Sequence, residues 1–167
     1  IVVQKGGVEI GSHDTTGSLF FDKLAPLGVE AILEAVQAID EGTAQPVIQD
    51  ESAATFQGLV RDSDAAVDLS LPAPAVDRLV RGCDPQPGAH LRCGDLKLRL
   101  YDARLEDAVS AAPGEIAAID PEGIVIGLDG GSLRVGRVRG ESGKEPASAF
   151  AERHGLAAGT KLENGRA

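Results

Sequence analysis

The sequence predicts an α+β chain: an acidic, helical first part followed by a small antiparallel β-barrel. Three observations predict it. Val29, Ile32, Leu33, Val36 and Ile39 carry an i, i+3, i+4, i+7 stripe, the mark of an amphipathic helix. Asp84-Pro85-Gln86-Pro87-Gly88 forms a corner that no helix crosses, because proline lacks the N–H and biases its predecessor toward extended backbone. Beyond that corner, short β-branched runs alternate with Gly-rich turns.

Taken in order, Ile1–Ile10 reads as a strand bent at Gly6-Gly7. Asp14 or Thr15 is a natural N-cap for a short helix bearing Leu19, Phe20 and Leu24. Pro26 breaks or restarts it, and the main stripe then runs to about Glu41, with Gly42 placed to end it. Residues 43–55 read as a linker around Pro46. Val76, Leu79 and Val80 line one face of a helix that feeds the corner. Strands are expected at Ala89–Cys93, Leu96–Ala103, Gly114–Ile119, Gly123–Leu128 and Ser132–Val138. Gly94-Asp95 and Asp129-Gly130-Gly131 are turn signals. Such short connections favour an antiparallel sheet curled into a barrel. Ala147–Arg153 is a last helical turn and Leu162–Ala167 a frayed tail.

Composition narrows the function. Aromatic content is 3%, with no Trp and 1 Tyr, so the core rests on Leu, Val, Ile and Ala. Cys83 and Cys93 form no CxxC pair, which favours buried thiols in a reduced compartment over disulfides or zinc. Neither a signal peptide nor a membrane-length apolar run is present, so a cytoplasmic protein with no membrane partner is the expectation. The chain opens on Ile-Val-Val-Gln and is expected to continue upstream. The net charge of −10 is uneven: residues 1–75 hold 3 Lys/Arg against 12 Asp/Glu, and residues 76–167 hold 13 against 14. A nucleic-acid module usually shows a clear basic excess; here there are only basic stripes.

No catalytic constellation stands out. His13, His90 and His154 sit in three separate segments at no metal-ligand spacing, and read as surface or structural residues. Arg134, Arg137 and Arg139 are the one functional candidate. Alternation places Arg137 and Arg139 on one face, although a solvated outer face is the plainer meaning.

A resemblance takes the reading further. His13-Asp14-Thr15-Thr16-Gly17-Ser18-Leu19, with Asp22-Lys23-Leu24-Ala25 and Leu27-Gly28, resembles the post-catalytic helix of the 10-formyltetrahydrofolate-dependent formyltransferases. Glu41-Gly42-Thr43, Pro46 and Gln49–Phe56 resemble the linker of the methionyl-tRNA formyltransferases. Arg81–Ala89 resembles the corner opening that family's C-terminal domain, and Gly143-Lys144, Ala147–Phe150 and Gly155–Thr160 its closing segment. The resemblance implies four parts: residues 1–48 from the end of a Rossmann-like catalytic domain, a linker at 49–75, an OB-like barrel at 76–160, and a tail at 161–167.

It further implies that the Asn, His and Asp of formyl transfer precede Ile1, so no catalytic residue is assigned and the chain alone is expected to be inactive. The donor would be 10-formyltetrahydrofolate, bound by the upstream domain, with no metal. Partners would be that N-terminal catalytic domain and initiator methionyl-tRNA, in translation initiation, with no DNA. The expected acceptor contacts are Arg61, Arg78, Arg81, Arg92, Lys97, Arg99, Arg137, Arg139 and Lys144.

Several departures bear on the acceptor. The tRNA enzymes usually carry Trp at the positions of Leu69 and Gln86. They also carry several Lys before the Asp matched by Asp68, where this chain has only Arg61 among Asp62, Asp64 and Asp68. Phosphate binding scales with the number of cations brought to it, so this linker is a poor grip. Thr55-Phe56-Gln57-Gly58-Leu59 is also similar to the hydrolase domain of formyltetrahydrofolate dehydrogenase. A formyltransferase for a small amine (a sugar amine or hydroxyornithine), a 10-formyltetrahydrofolate hydrolase, and a non-catalytic binding module remain the alternatives. An Asn-x-His and a later Asp upstream of Ile1 would separate enzyme from module.

Overall fold

The computed structural model describes residues 7–107, 109–140 and 143–166. It divides into two compact units, Ile1–Leu59 and Val60–Ala167.

In the first unit α1 (Thr16–Ser18) passes through a π-helical turn at Leu19–Leu24 into α2 (Ala25–Asp40). Thr15 is the cap. Its Oγ1 accepts from the Ser18 N–H at 3.1 Å while Ser18 Oγ accepts from the Thr15 N–H at 3.0 Å, the reciprocal pairing of a capping box. Asp14 pairs instead with Lys23 at 2.5 Å. Pro26 lies at the start of α2, directly after the π-helical turn. Gly42, at φ +68°, follows the helix end.

The apolar stripe departs from expectation. Ile1–Gly6 lie outside the described residues, and Gly7–Ile10 form no strand. Val29, Ile32, Leu33, Val36 and Ile39 are 56–65% exposed rather than buried against that segment. Periodicity specifies which face of a helix is apolar; burial needs a second layer.

The second unit is built on six strands: β1 (His90–Cys93), β2 (Leu96–Glu106), β3 (Ile116–Asp120), β4 (Gly123–Leu128), β5 (Gly131–Gly140) and β6 (Gly143–Pro146). All pairings are antiparallel, in the order β1-β2-β5-β4-β3, with β6 beside β5. The β3–β4 turn requires Gly123, because at φ +139° a Cβ would overlap the Val135 carbonyl oxygen. Helix α3 (Ala73–Gly82) packs on β2 and β5, and α4 (Ala147–His154) packs on β4 and β5. Val76, Val80, Leu98, Leu100, Ile124, Leu133, Val138 and Phe150 belong to one apolar core. No described helix is long and apolar enough to cross a membrane.

Three features differ from the sequence reading. Among the described residues no pairing joins β1 to β3, so the six named strands do not by themselves close into the expected OB-like barrel. The C-terminal segment lies at both edges instead, with Glu163 bridging Arg92 and Lys161 bridging Glu115. That segment is therefore no frayed tail, since the Leu162 N–H donates to the Gly114 carbonyl and the Gly165 N–H to the Val67 carbonyl. Thirdly, residues 60–75 belong to the second unit, with Ala65, Val67 and Ala73 fully buried. The resemblance implies a linker here, and local sequence does not correct it, because the apolar residues are single and spaced by Asp and Pro; their partners lie far along the chain.

Candidate nucleic-acid interface

Register decides which cations meet. Residues directly opposite in an antiparallel pair share a face. His90 lies opposite Arg99, Arg99 opposite Arg139, and Arg139 opposite Lys144. A row of basic side chains thus crosses β2, β5 and β6. Arg92 opposite Lys97 and Tyr101 opposite Arg137 flank it. Leu98, Leu100 and Val138 alternate with these residues into the core, so the row stands on the other face.

Like charges placed opposite one another repel, and the chain supplies counter-groups. Asp62 reaches Lys97 Nζ and Arg99 Nη1, each at 2.6 Å. Those two cations, Lys97 first, hold its carboxyl at about 2, well below the usual carboxylate range. Arg99 also donates to the Pro87 and Gly88 carbonyls at 3.1 and 3.2 Å, and Arg139 to Pro87 at 3.1 Å. Lys144 Nζ lies 3.8 Å from Asp84 Oδ1. Beneath the row is Tyr101, 1% exposed, with Lys144 Nζ 4.2 Å and Arg139 Cζ 5.5 Å from its ring centroid, a cation–π arrangement. The corner needs glycine there: Gly88 has φ +86°, and a Cβ would overlap the Tyr101 hydroxyl. A cleft of about 260 Å³ opens among Asp95, Leu96, Lys97, Arg99, Arg139 and Gly140.

Of the nine expected contacts, Lys97, Arg99, Arg137, Arg139 and Lys144 come together here, with half-buried Arg92 at the margin. Arg61 is exposed and precedes a 3₁₀ turn at Asp62–Ala65. Arg78 and Arg81 lie on α3, and Arg81 pairs with Asp77 at 2.9 Å. Arg134 stands apart from its two neighbours in the candidate series. It bonds Glu106 at 2.6 Å and Asp120 at 2.9 Å. The core-facing parity changes along β5, Val135 and Val138 both being buried, beside Asp102 at φ +51° on β2.

Sequence reasoning missed Asp62 and Tyr101 as members of the site, and placed Asp84 only at longer range. Asp62 is 35 positions from Lys97, so no local spacing signals the pair. His90 is 3% exposed, and burial lowers its pKa below the ordinary imidazole value. No group of three or more His, Cys, Asp or Glu among the described residues is placed to hold a metal.

The family model for the formyl transferase C-terminal domain matches residues 59–155, which takes in the open sheet and the basic row. The chain belongs to the formyltransferase family. It is 34% identical over 140 residues to the methionyl-tRNA formyltransferase of Ectopseudomonas mendocina, covering 84% of this chain and 44% of the relative. It is 35% identical over 150 residues to that of Chromobacterium violaceum, covering 89% and 48%. The formyltransferase chain thus spans about half the length of the curated relatives it matches. Among solved structures, a variant of HypX from Aquifex aeolicus superposes with a TM-score of 0.75 at 23% identity, over 85% of this chain and 26% of that one. HypX in complex with tetrahydrofolic acid gives 0.74 at 24% identity, over 83% and 25%. At that identity the likeness establishes the fold.

Proposed function

We propose that this chain is the acceptor-holding part of a cytoplasmic formyltransferase that moves a formyl group from 10-formyltetrahydrofolate to the amine of methionyl-tRNA. The observation that carries the proposal is the basic row Arg99–Arg139–Lys144, flanked by Lys97 and Arg137, on the face of the sheet away from the core. A row of cations suits the regularly spaced phosphates of a nucleic acid better than it suits a small uncharged amine. The likeness to methionyl-tRNA formyltransferases points the same way.

The chemistry belongs to a catalytic domain upstream, to which the first unit and its exposed α2 stripe would attach. The amine nitrogen attacks the formyl carbon, a general base takes its proton, and polar donors hold the developing oxyanion until the bond to the folate nitrogen breaks. On this reading no described residue of this chain is given to those roles. His13 and His154 are exposed and His90 is buried, each on a different element. On this reading the chain alone would not transfer a formyl group.

The test is a salt titration of initiator tRNA binding by wild type and an Arg137→Ala, Arg139→Ala double variant. Each cation that reaches a phosphate contributes about 0.9 to the slope of log affinity against log salt, so the double variant should lower the slope by nearly two units. Equal slopes, or no binding at low salt together with turnover of a small amine by the longer enzyme, would transfer the assignment to a small-amine acceptor.

A further inference from the structure

Resting on that reading, we infer that the cleft between Lys97, Arg99 and Arg139 is a subsite for a backbone phosphate of the RNA acceptor, and that Asp62 is the internal anion this phosphate displaces. Register brings Arg99 and Arg139 face to face, and Lys97 lies two residues along β2 on the same face. The cleft they line is about 260 Å³, against roughly 30 Å³ for one water. Asp62 itself does not line the cleft, but its carboxylate shows how an oxyanion is held by two of the cations that do, with one oxygen on Lys97 and the other on Arg99, each at 2.6 Å. Phosphate and carboxylate offer the same pair of charged acceptors to such donors.

The two guanidinium walls are fixed, and the carboxylate that competes for their charge is not. Arg99 and Arg139 are each tied to the Pro87 carbonyl, and a guanidinium with five N–H donors keeps others for a ligand. Asp62 rides on a single 3₁₀ turn with its side chain 49% exposed. That turn is anchored by fully buried Ala65, so releasing the two cations needs only a change of the Asp62 rotamer. Asp95 also lines the cleft.

The experiment uses the 167-residue chain, as wild type, Asp62→Asn, and Asp62→Asn with Lys97→Ala. An RNA hairpin with a single-stranded 3′ end is titrated by fluorescence anisotropy across a fourfold range of salt, and pyrophosphate by calorimetry in parallel. Asp62→Asn should bind the hairpin more tightly at low salt, with a slope steeper by about 0.9 for each phosphate engaged. Over fourfold salt that amounts to about a 3.5-fold narrowing of its advantage per phosphate. Adding Lys97→Ala should cancel the gain. Hairpin binding with the same slope for wild type and Asp62→Asn overturns the subsite and leaves the acceptor reading standing. Pyrophosphate bound more tightly by Asp62→Asn, with the hairpin bound by neither protein, keeps the anion cleft and overturns its assignment to RNA. No response to Asp62→Asn with either probe overturns the inference.

Discussion

Phe150 and Gly140 share one space, and a double-mutant cycle should show it. Phe150 is fully buried where α4 packs on β5. A Cβ added at Gly140 would lie 2.7 Å from its Cε2 and 3.5 Å from its Cζ. Gly140 has no positive φ among the backbone exceptions, so alanine there meets a packing obstacle alone. Phe150→Ala should cost about 3–5 kcal/mol through lost burial and a cavity. Gly140→Ala overpacks the same place and should cost about 1–3 kcal/mol. In the double variant the new methyl enters the vacated volume. The combined cost should therefore fall below the sum by about 0.5–3 kcal/mol, the range for residues in contact. Urea denaturation followed at Tyr101 is the assay. It is the 1 Tyr of a chain without Trp, and it is buried within the second unit. With m near 1–3 kcal/mol/M, Phe150→Ala should move the midpoint down by about 1 M or more. Additivity within about 0.3 kcal/mol would refute the shared space and, with it, the seating of α4 on the strand that carries Arg139.

Other expectations follow from the same coordinates. Gly88→Ala should destabilise the second unit by about 1–3 kcal/mol, from the positive φ and the overlap with Tyr101; thermal unfolding that is unchanged would sink this account of the corner. The Asp62 carboxyl, held at about 2 against an ordinary 3.8, is a depressed group. Its stabilisation is complete above the unfolded value and is lost as pH falls through about 2. The stability gap between wild type and Asp62→Asn should be open at neutral pH and close on acidification; a gap that widens instead would contradict the ion pair. Limited proteolysis should cut first near Phe56 and Leu59, which are 95% and 93% exposed; a first cut within β2–β5 would tell against the paired sheet.

What was legible in the sequence divides by range. The strands were readable because Leu96–Leu100 alternates toward one buried face, because Gly123–Leu128 is a short apolar run buried along its whole length, and because Gly94-Asp95 and Gly130-Gly131 mark turns. Helix α3 was readable from Val76 and Val80. Closure was not: a barrel and an open sheet share one hairpin pattern, and the difference lies in how β1 and β3 end, where Lys161–Glu163 sits instead. The basic row was half legible. Alternation paired Arg137 with Arg139, but continuous alternation fails near Gly136, which is why Arg134 left the group and bonded Glu106 and Asp120. Likewise nothing in the Asp-rich stretch at 62–68 announces that one of its carboxylates neutralises strand β2.

The Pro87–Gly88 corner joins fold to function. The Pro87 carbonyl accepts from Arg99 and Arg139 together, and the Gly88 carbonyl from Arg99 again. Asp84 in the same corner accepts from the Asp102 N–H at 3.1 Å, where the core-facing parity of β2 changes. One short turn therefore fixes the direction of two guanidinium groups and the strand position at which Tyr101 supports them. A substitution in that turn should weaken polyanion binding even though no corner side chain is basic. It should do so through geometry, with the number of cations unchanged. A guanidinium turned away from its phosphate flattens the salt slope as a deleted one does, so a Gly88→Ala variant that folds yet keeps both the affinity and the slope of wild type would refute this role of the corner.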